Sequence, residues 1–229
     1  MQKNKRVLFT IPFAGGSGFS FKNFDRHLED IFDIYHLELP GRGYRVTEEL
    51  IDDIYQAKDD LFEQIRDKIS DDYVVYGHSL GAILGYLLVL EIEERGLPKP
   101  SKLVVSGKRA PQNRSTVIRH NLPLDSFISS LKELGGMPED FFEHRELFEF
   151  FEPILRADFK MAEEFNLKEI KKIDSKISVL YGIDDSYSIE EALDWKYFSK
   201  KSIDFYKFSG NHFFIFNHLK EICNIIASK

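Results

Sequence analysis

Residues 73–91, YVVYGHSLGAILGYLLVLE, limit the fold more than any other part of the chain. The stretch opens as a short unbroken apolar run, the pattern of a strand buried on both faces. It closes as a long apolar helix pattern in which Gly81, Ala82 and Gly85 form a small-residue face for close packing on a sheet. Between the two lies Gly77-His78-Ser79-Leu80-Gly81, a G-x-S-x-G sequence in the strand–turn–helix setting that this motif requires. A chain that reverses so tightly has no room for side chains two residues before and two after the serine, hence the two glycines. The turn lifts the Ser79 hydroxyl above the sheet edge. The Leu80 N–H opens the helix and points into the same space, where the positive end of the helix dipole favours developing negative charge. Ser79 is therefore the candidate nucleophile. The turn aims His78 away from it, which leaves His78 a structural or substrate-facing role.

The rest of the chain repeats the alternation. Strands are expected at 6–11, 33–39, 73–77, 102–107, 177–182 and 203–208, with helical patterns near 20–31, 49–69, 80–95, 189–200 and 212–227. This order predicts an α/β fold with a mostly parallel central sheet flanked by helices, in a single domain spanning 1–229. The spacing breaks once, between the fourth and fifth strands. The glycine- and proline-punctuated text there leads into FFEHRELFEFFEPILRADFKMAEEF, with Phe141, Phe142, Phe148, Phe150, Phe151, Phe159 and Phe165. An inserted helical lid over about 112–170 is expected, with an apolar underside that forms an acyl pocket.

Composition narrows the function classes. The chain has 229 residues, 43% hydrophobic and 30% charged, as in a globular domain with a substantial core. The formal net charge of −7 comes without a basic stripe, which argues against nucleic acid. Cys223 is the one cysteine, so no internal disulfide can form, which fits a cytoplasmic setting. It falls in the apolar helix pattern LKEICNIIA and reads as a packed core thiol. Lys3, Lys5 and Arg6 ahead of the first apolar run mimic an export signal. That run meets Pro12 early and lacks a small-residue cleavage site, so it reads as a strand. No stretch approaches the ~18 apolar residues of a membrane span. A monomer is expected.

A serine needs a base, and the base needs an orienting carboxylate. In the fold that houses this motif the chain order is serine, acid, histidine. ISVLYG runs into GIDDSYS, which puts Asp184 and Asp185 just beyond a late strand. The last strand runs into SGNHFFIF, with His212 in the loop or first turn of the final helix. His27 and His36 come too early, His120 and His144 lie in the insertion, and His218 lies within the last helix. Asp185 and His212 are the candidate acid and base, with Asp184 in reserve; one aspartate of the pair is a turn-former.

The glycines of IPFAGGSGFSF (11–21) allow a phosphate-binding loop or an oxyanion-binding one. No Lys-Ser/Thr follows at P-loop spacing, so the nucleotide reading lacks its key parts. The loop after the first strand instead supplies a second oxyanion donor, assigned to the Ala14 N–H beside that of Leu80, with Phe13 and Gly15 as the alternatives. Arg42 and Arg45 in PGRGYR invite a phosphate role, against which stands a pair of structural ion pairs around a tight turn. Lys108 and Arg109 follow a strand near the lid, where they could meet an acidic partner.

PFAGGS (12–17), LPGRGYR (39–45), YGHSLGA (76–82), SGKRAP (106–111), LGGMP (134–138), LRADF (155–159), DWKYF (194–198) and GNHFF (210–214) together resemble the stand-alone (type II) thioesterases of nonribosomal peptide and polyketide synthesis. The match runs nearly end to end. It implies an α/β-hydrolase fold with a helical lid, and a Ser79–Asp185–His212 triad. It also implies hydrolysis of acyl thioesters from the phosphopantetheine arm of acyl or peptidyl carrier proteins, with neither metal nor cofactor. Phe13 stands where histidine is common, Lys108 where arginine is common, and Ser186 where proline is common; the last keeps Asp184 in contention. The same triad would also serve a small-molecule carboxylesterase or lipase, or an acyltransferase.

Overall fold

The computed structural model describes residues 5–114 and 117–229, so Lys3 and positions 115–116 of the expected insertion lie outside the described residues. The elements in chain order are β1 (Arg6–Ile11), α1 (Lys22–Leu28), β2 (Phe32–His36), α2 (Ile54–Ile65), β3 (Tyr73–His78), α3 (Leu80–Glu94), β4 (Lys102–Ser106), α4 (Leu124–Leu134), α5 (Arg145–Glu164), β5 (Lys176–Gly182), α6 (Ile189–Leu193), β6 (Ile203–Phe208) and α7 (Leu219–Ala227). The six strands form one parallel sheet in the order β2-β1-β3-β4-β5-β6. β3 and β4 are buried along their whole length, as their unbroken apolar text requires. α1 and α7 cover one face around Phe21, Tyr76 and Ile222; α2 and α3 cover the other around Phe62, Tyr86 and Trp195. The chain leaves β1 for the β2 edge and returns on the other side at β3, so a crevice opens between the carboxyl ends of β1 and β3. Among the described residues, no helix is long and apolar enough to cross a membrane.

Several expected boundaries move for local reasons. β2 stops at His36 rather than 39, because its partner ends at Pro12, which has no N–H; one last bond joins Leu37 N–H to Thr10 O at 2.9 Å. α2 starts at Ile54 rather than 49, where Asp53 accepts the Tyr55 and Gln56 N–H groups as an N-cap. α1 is shorter than 20–31 because a 3₁₀ turn, Gly18–Phe21, precedes it. α6 gives way to 3₁₀ geometry over Asp194–Tyr197 instead of running to 200. The expected helix 212–227 is loop and a 3₁₀ turn up to α7, since Phe214 must stack on Phe208 at 5.3 Å beneath the sheet. His218 therefore caps α7 rather than lying inside it.

Between β4 and β5 stand α4, a 3₁₀ turn at Glu139–Phe142, and α5. They share a small apolar cluster of Phe127, Leu131, Phe148, Leu155 and Phe159, with Phe141, Phe142 and Phe151 packed at its edge. Phe165 instead joins the main core, and Phe150 is exposed. Met161 packs α5 into the main core, and a polar contact ties the helix to the loops at the sheet edge. Asp158, fully buried, receives both terminal nitrogens of the buried Arg42 and the Gly15 N–H at 2.7 Å. One carboxylate thereby joins α5 to the loops after β1 and β2. Arg45 is held in the same way by Glu48 and Asp60. Both arginines are consumed by structural ion pairs, so the phosphate role falls.

Two stability outcomes follow from these contacts. A Cβ at Gly81 would collide with the Ile11 and Pro12 carbonyl oxygens, whereas one at Gly85 meets side-chain methyl groups alone, the nearest being Leu103 Cδ1 at 3.3 Å. In urea denaturation Gly81→Ala is expected to lose about 1–3 kcal/mol, while the helix propensity gained by Gly85→Ala holds it within about 1 kcal/mol of the parent. Asp158→Asn strands a buried guanidinium and is expected to cost about 3–5 kcal/mol. Asp158→Leu combined with Arg42→Met should lose less than the single change; a larger loss would mean that the ion pair is not what holds α5 down.

Candidate active site

Every candidate residue stands at the carboxyl edge of the sheet. Ser79 occupies the turn between β3 and α3 with φ 55° and ψ −114°, and is the only non-glycine residue with positive φ among the described residues. This conformation costs a β-substituted residue of order 1–3 kcal/mol. The surroundings enforce it: the Ser79 N–H donates to Ser106 O at 2.9 Å, and a Cβ at Gly77 would strike the Gly81 backbone. The second glycine serves a purpose different from the one its spacing suggests. Gly81 lets α3 press against the end of β1, not against the turn itself.

His212 lies in the loop after β6, with Nε2 2.9 Å from Ser79 Oγ. Its Nδ1 lies 2.9 and 3.1 Å from the two carboxylate oxygens of Asp185, in the loop after β5. With Nδ1–H donating to Asp185, Nε2 is the acceptor for the serine hydroxyl. The Asp185 side chain is fully buried, and its Oδ1 also accepts the Ser186 N–H at 2.7 Å. Asp184 does different work. Its N–H donates to Gly210 O at 3.1 Å and its Oδ2 accepts the Gly210 N–H at 3.3 Å, stitching the two loops together. The carboxylate that faces the imidazole is thus Asp185.

The N–H groups of Leu80 and Ala14 have no partner among the described residues; Ala14 lines the crevice at Ser79, and Leu80 follows Ser79 as the first residue of α3. That of Phe13 is likewise without one, whereas the Gly15 N–H is taken by Asp158, which removes Gly15 as an alternative donor. Leu80 opens α3, where the helix dipole is positive.

His78 is structural. It is fully buried, its Nδ1 bonds Ser106 Oγ at 2.8 Å, and its ring packs 5.1 Å from that of His212. Burial, with His212 close by, holds its pKa well below the usual imidazole value, so it stays neutral. His36 pairs with Asp25, and His120 with Glu163. Cys223 is buried, which pushes its thiol up to about 12 and leaves it a packing group.

A cavity of about 430 Å³ opens beside Ser79 and His212. Its walls are mostly apolar, with Leu131, Met137, Phe141, Phe151 and Phe159 from the helical insertion and Phe213 from below. It reaches the surface past the exposed Phe19 and Phe150. Asp158 is the residue that sequence reading missed. Its signal was a lone carboxylate between Leu155 and Phe159 on the apolar side of α5, where burial demands a cationic partner.

The comparisons agree with this architecture. The chain matches the Thioesterase domain family over residues 6–229. It is 28% identical over 227 residues to the gramicidin S biosynthesis protein GrsT of Aneurinibacillus migulanus, covering 98% of this chain and 89% of GrsT. Among solved structures, ClbQ from the colibactin NRPS/PKS pathway superposes with a TM-score of 0.91 at 30% identity, over 98% of this chain and 96% of ClbQ. The type II thioesterase BorB from the borrelidin biosynthetic cluster does so with a TM-score of 0.89 at 29% identity, over 98% and 92%. With its parallel sheet, its helical insertion and its match along nearly the whole length, the chain belongs to the thioesterase domain family and is a thioester hydrolase.

Proposed function

We propose that this protein hydrolyses acyl thioesters carried on the phosphopantetheine arm of a carrier protein, with Ser79 as nucleophile, His212 as base and Asp185 as the orienting carboxylate. One observation carries the reading: the hydrogen-bonded run Ser79 Oγ–His212 Nε2, His212 Nδ1–Asp185, beside an apolar cavity open to the surface. The biosynthetic settings named for GrsT, ClbQ and BorB support a carrier-bound substrate and a cytoplasmic enzyme. The large cavity admits the arm to Ser79 and takes apolar acyl chains, and the insertion of α4 and α5 is its lid.

His212 Nε2 takes the hydroxyl proton as Ser79 Oγ attacks the thioester carbonyl. The carbonyl oxygen becomes an oxyanion between the N–H groups of Leu80 and Ala14. Buried Asp185 holds Nδ1–H and stabilises the imidazolium that forms. The C–S bond then breaks. A thiol has a pKa of ~8.5, so its thiolate leaves readily, and it takes up the proton held on His212 Nε2, which restores the neutral base. Water attacks the acyl-Ser79 ester with the same base, which afterwards returns its proton to Ser79 Oγ as the carboxylic acid departs.

Two experiments test this. A fluorophosphonate probe is expected to label the parent protein but not Ser79→Ala, whose turnover should fall by ~10⁶; labelling that survives the change would remove Ser79 from the mechanism. An acetyl thioester on a carrier protein is expected to be turned over with a higher kcat/KM than p-nitrophenyl acetate. A strong preference for the simple ester would instead favour a small-molecule esterase.

A further inference from the structure

Ser79 and His212 also border a second cavity, of about 60 Å³. It shares Ala14, Leu134 and Phe159 with the large one, but Lys108, Arg119 and Tyr187 give it the opposite chemistry. Its donors are in surplus. The Lys108 ammonium makes no hydrogen bond or ion pair among the described residues; only the Lys108 carbonyl is engaged, by Trp195 Nε1 at 2.9 Å. Among the described residues Arg119 Nε is buried without a hydrogen bond, although the guanidinium stands 3.7 Å from Glu163, and the buried Tyr187 Oη lies close to the Asp185 carboxylate without a hydrogen bond of normal geometry. Burial and the charge of nearby Asp185 keep the Tyr187 phenol protonated and therefore a donor.

The acceptors, by contrast, are already occupied. The Glu163 carboxylate receives the Arg119 N–H, the His120 N–H and His120 Nδ1. Asp185 receives His212 and the Ser186 N–H. A small space with spare donors, a cation that has no direct partner among the described residues and carboxylates already engaged favours an anionic acceptor. The volume holds roughly a few waters, enough for a carboxylate and a methylene but not for a ring or a long chain. The phosphate of the pantetheine arm is at the far end of the arm from the reacting sulfur, so it is not the anion that reaches a space touching Ser79.

We propose that this cavity is a carboxylate subsite, formed by Lys108 Nζ and Tyr187 Oη, that lets the enzyme select short dicarboxylic acyl thioesters of malonyl length. The inference rests on Ser79 as the nucleophile: with the arm in the large cavity and the carbonyl at Ser79, a one-methylene acyl group carries its free carboxylate into the small one. Burial lowers the Lys108 amine to about 8, with Arg109 and Arg119 acting in the same direction and Glu163 and Asp185 opposing them. The ammonium is thus present below about pH 8, and the selectivity should fade above it.

The test compares malonyl-S-pantetheine with 3-methylbutanoyl-S-pantetheine, an uncharged thioester of equal heavy-atom count, by thiol release. For Lys108→Met, the malonyl to 3-methylbutanoyl ratio of kcat/KM is expected to fall roughly 10- to 100-fold, the range of a charge-assisted hydrogen bond. Lys108→Arg should keep most of the ratio, and Tyr187→Phe should lower it severalfold without removing a charge. A ratio that stays put in both Lys108→Met and Tyr187→Phe, with both proteins folded by circular dichroism, overturns the subsite but not the thioesterase reading. A parent enzyme inert to both thioesters overturns the two together. Should Lys108→Met fail to fold, the Tyr187→Phe ratio decides alone.

Discussion

The strained turn at Ser79 is the constraint on which the rest of the molecule depends. A non-glycine residue with φ 55° is held there only because its neighbours leave no alternative. Ser106 anchors its N–H, Gly77 leaves room for the Gly81 backbone, and Gly81 lets α3 press against the end of β1. The same contacts that force the serine upward bring the loop carrying Ala14 beside it. Strain, sheet order and the crevice at the β1–β3 switch are therefore one arrangement. The cost of the turn is offset by the burial of β3 and α3 on either side.

A second organising contact is Asp158. A buried carboxylate is tolerable only with its charge and lone pairs satisfied, and Arg42 with the Gly15 N–H does both. The consequence reaches beyond stability. The loop after β1 is pinned by α5, so the position of Ala14 beside Ser79 depends on the helical insertion being seated. The insertion is thus a structural part of the site as well as a wall of its apolar cavity.

The two cavities around Ser79 differ in kind because they are lined by different elements. Apolar side chains of α4 and α5 make the larger one. The smaller is walled by the segment after β4 and the loop after β5, which bring Lys108 and Tyr187. A thioester has two unlike ends, and a site with two unlike chambers can sort substrates by what the acyl end carries.

Much of this was legible in the chain. Short β-rich runs, several of them unbroken and apolar, marked all six strands, and the G-x-S-x-G turn marked Ser79, because those patterns express local burial and local steric need. The order of loops brought Asp185 and His212 forward. Sequence favoured Asp185 but kept Asp184 in reserve, since both sit in one turn; in the fold it is the Asp185 carboxylate of the β5 loop that meets the imidazole carried by the β6 loop. Sequence could not show that FFIF would fold as a 3₁₀ turn under Phe208 instead of a helix, that His78 would be buried against Ser106, or that Asp158 would reach Arg42, 116 positions away. The chain by itself determined the elements, their order and the residue types available at the sheet edge, because these follow from periodicity and backbone sterics. Tertiary structure alone decided which of those polar groups found partners and which were left facing a cavity, because hydrogen-bond satisfaction depends on segments far apart in sequence.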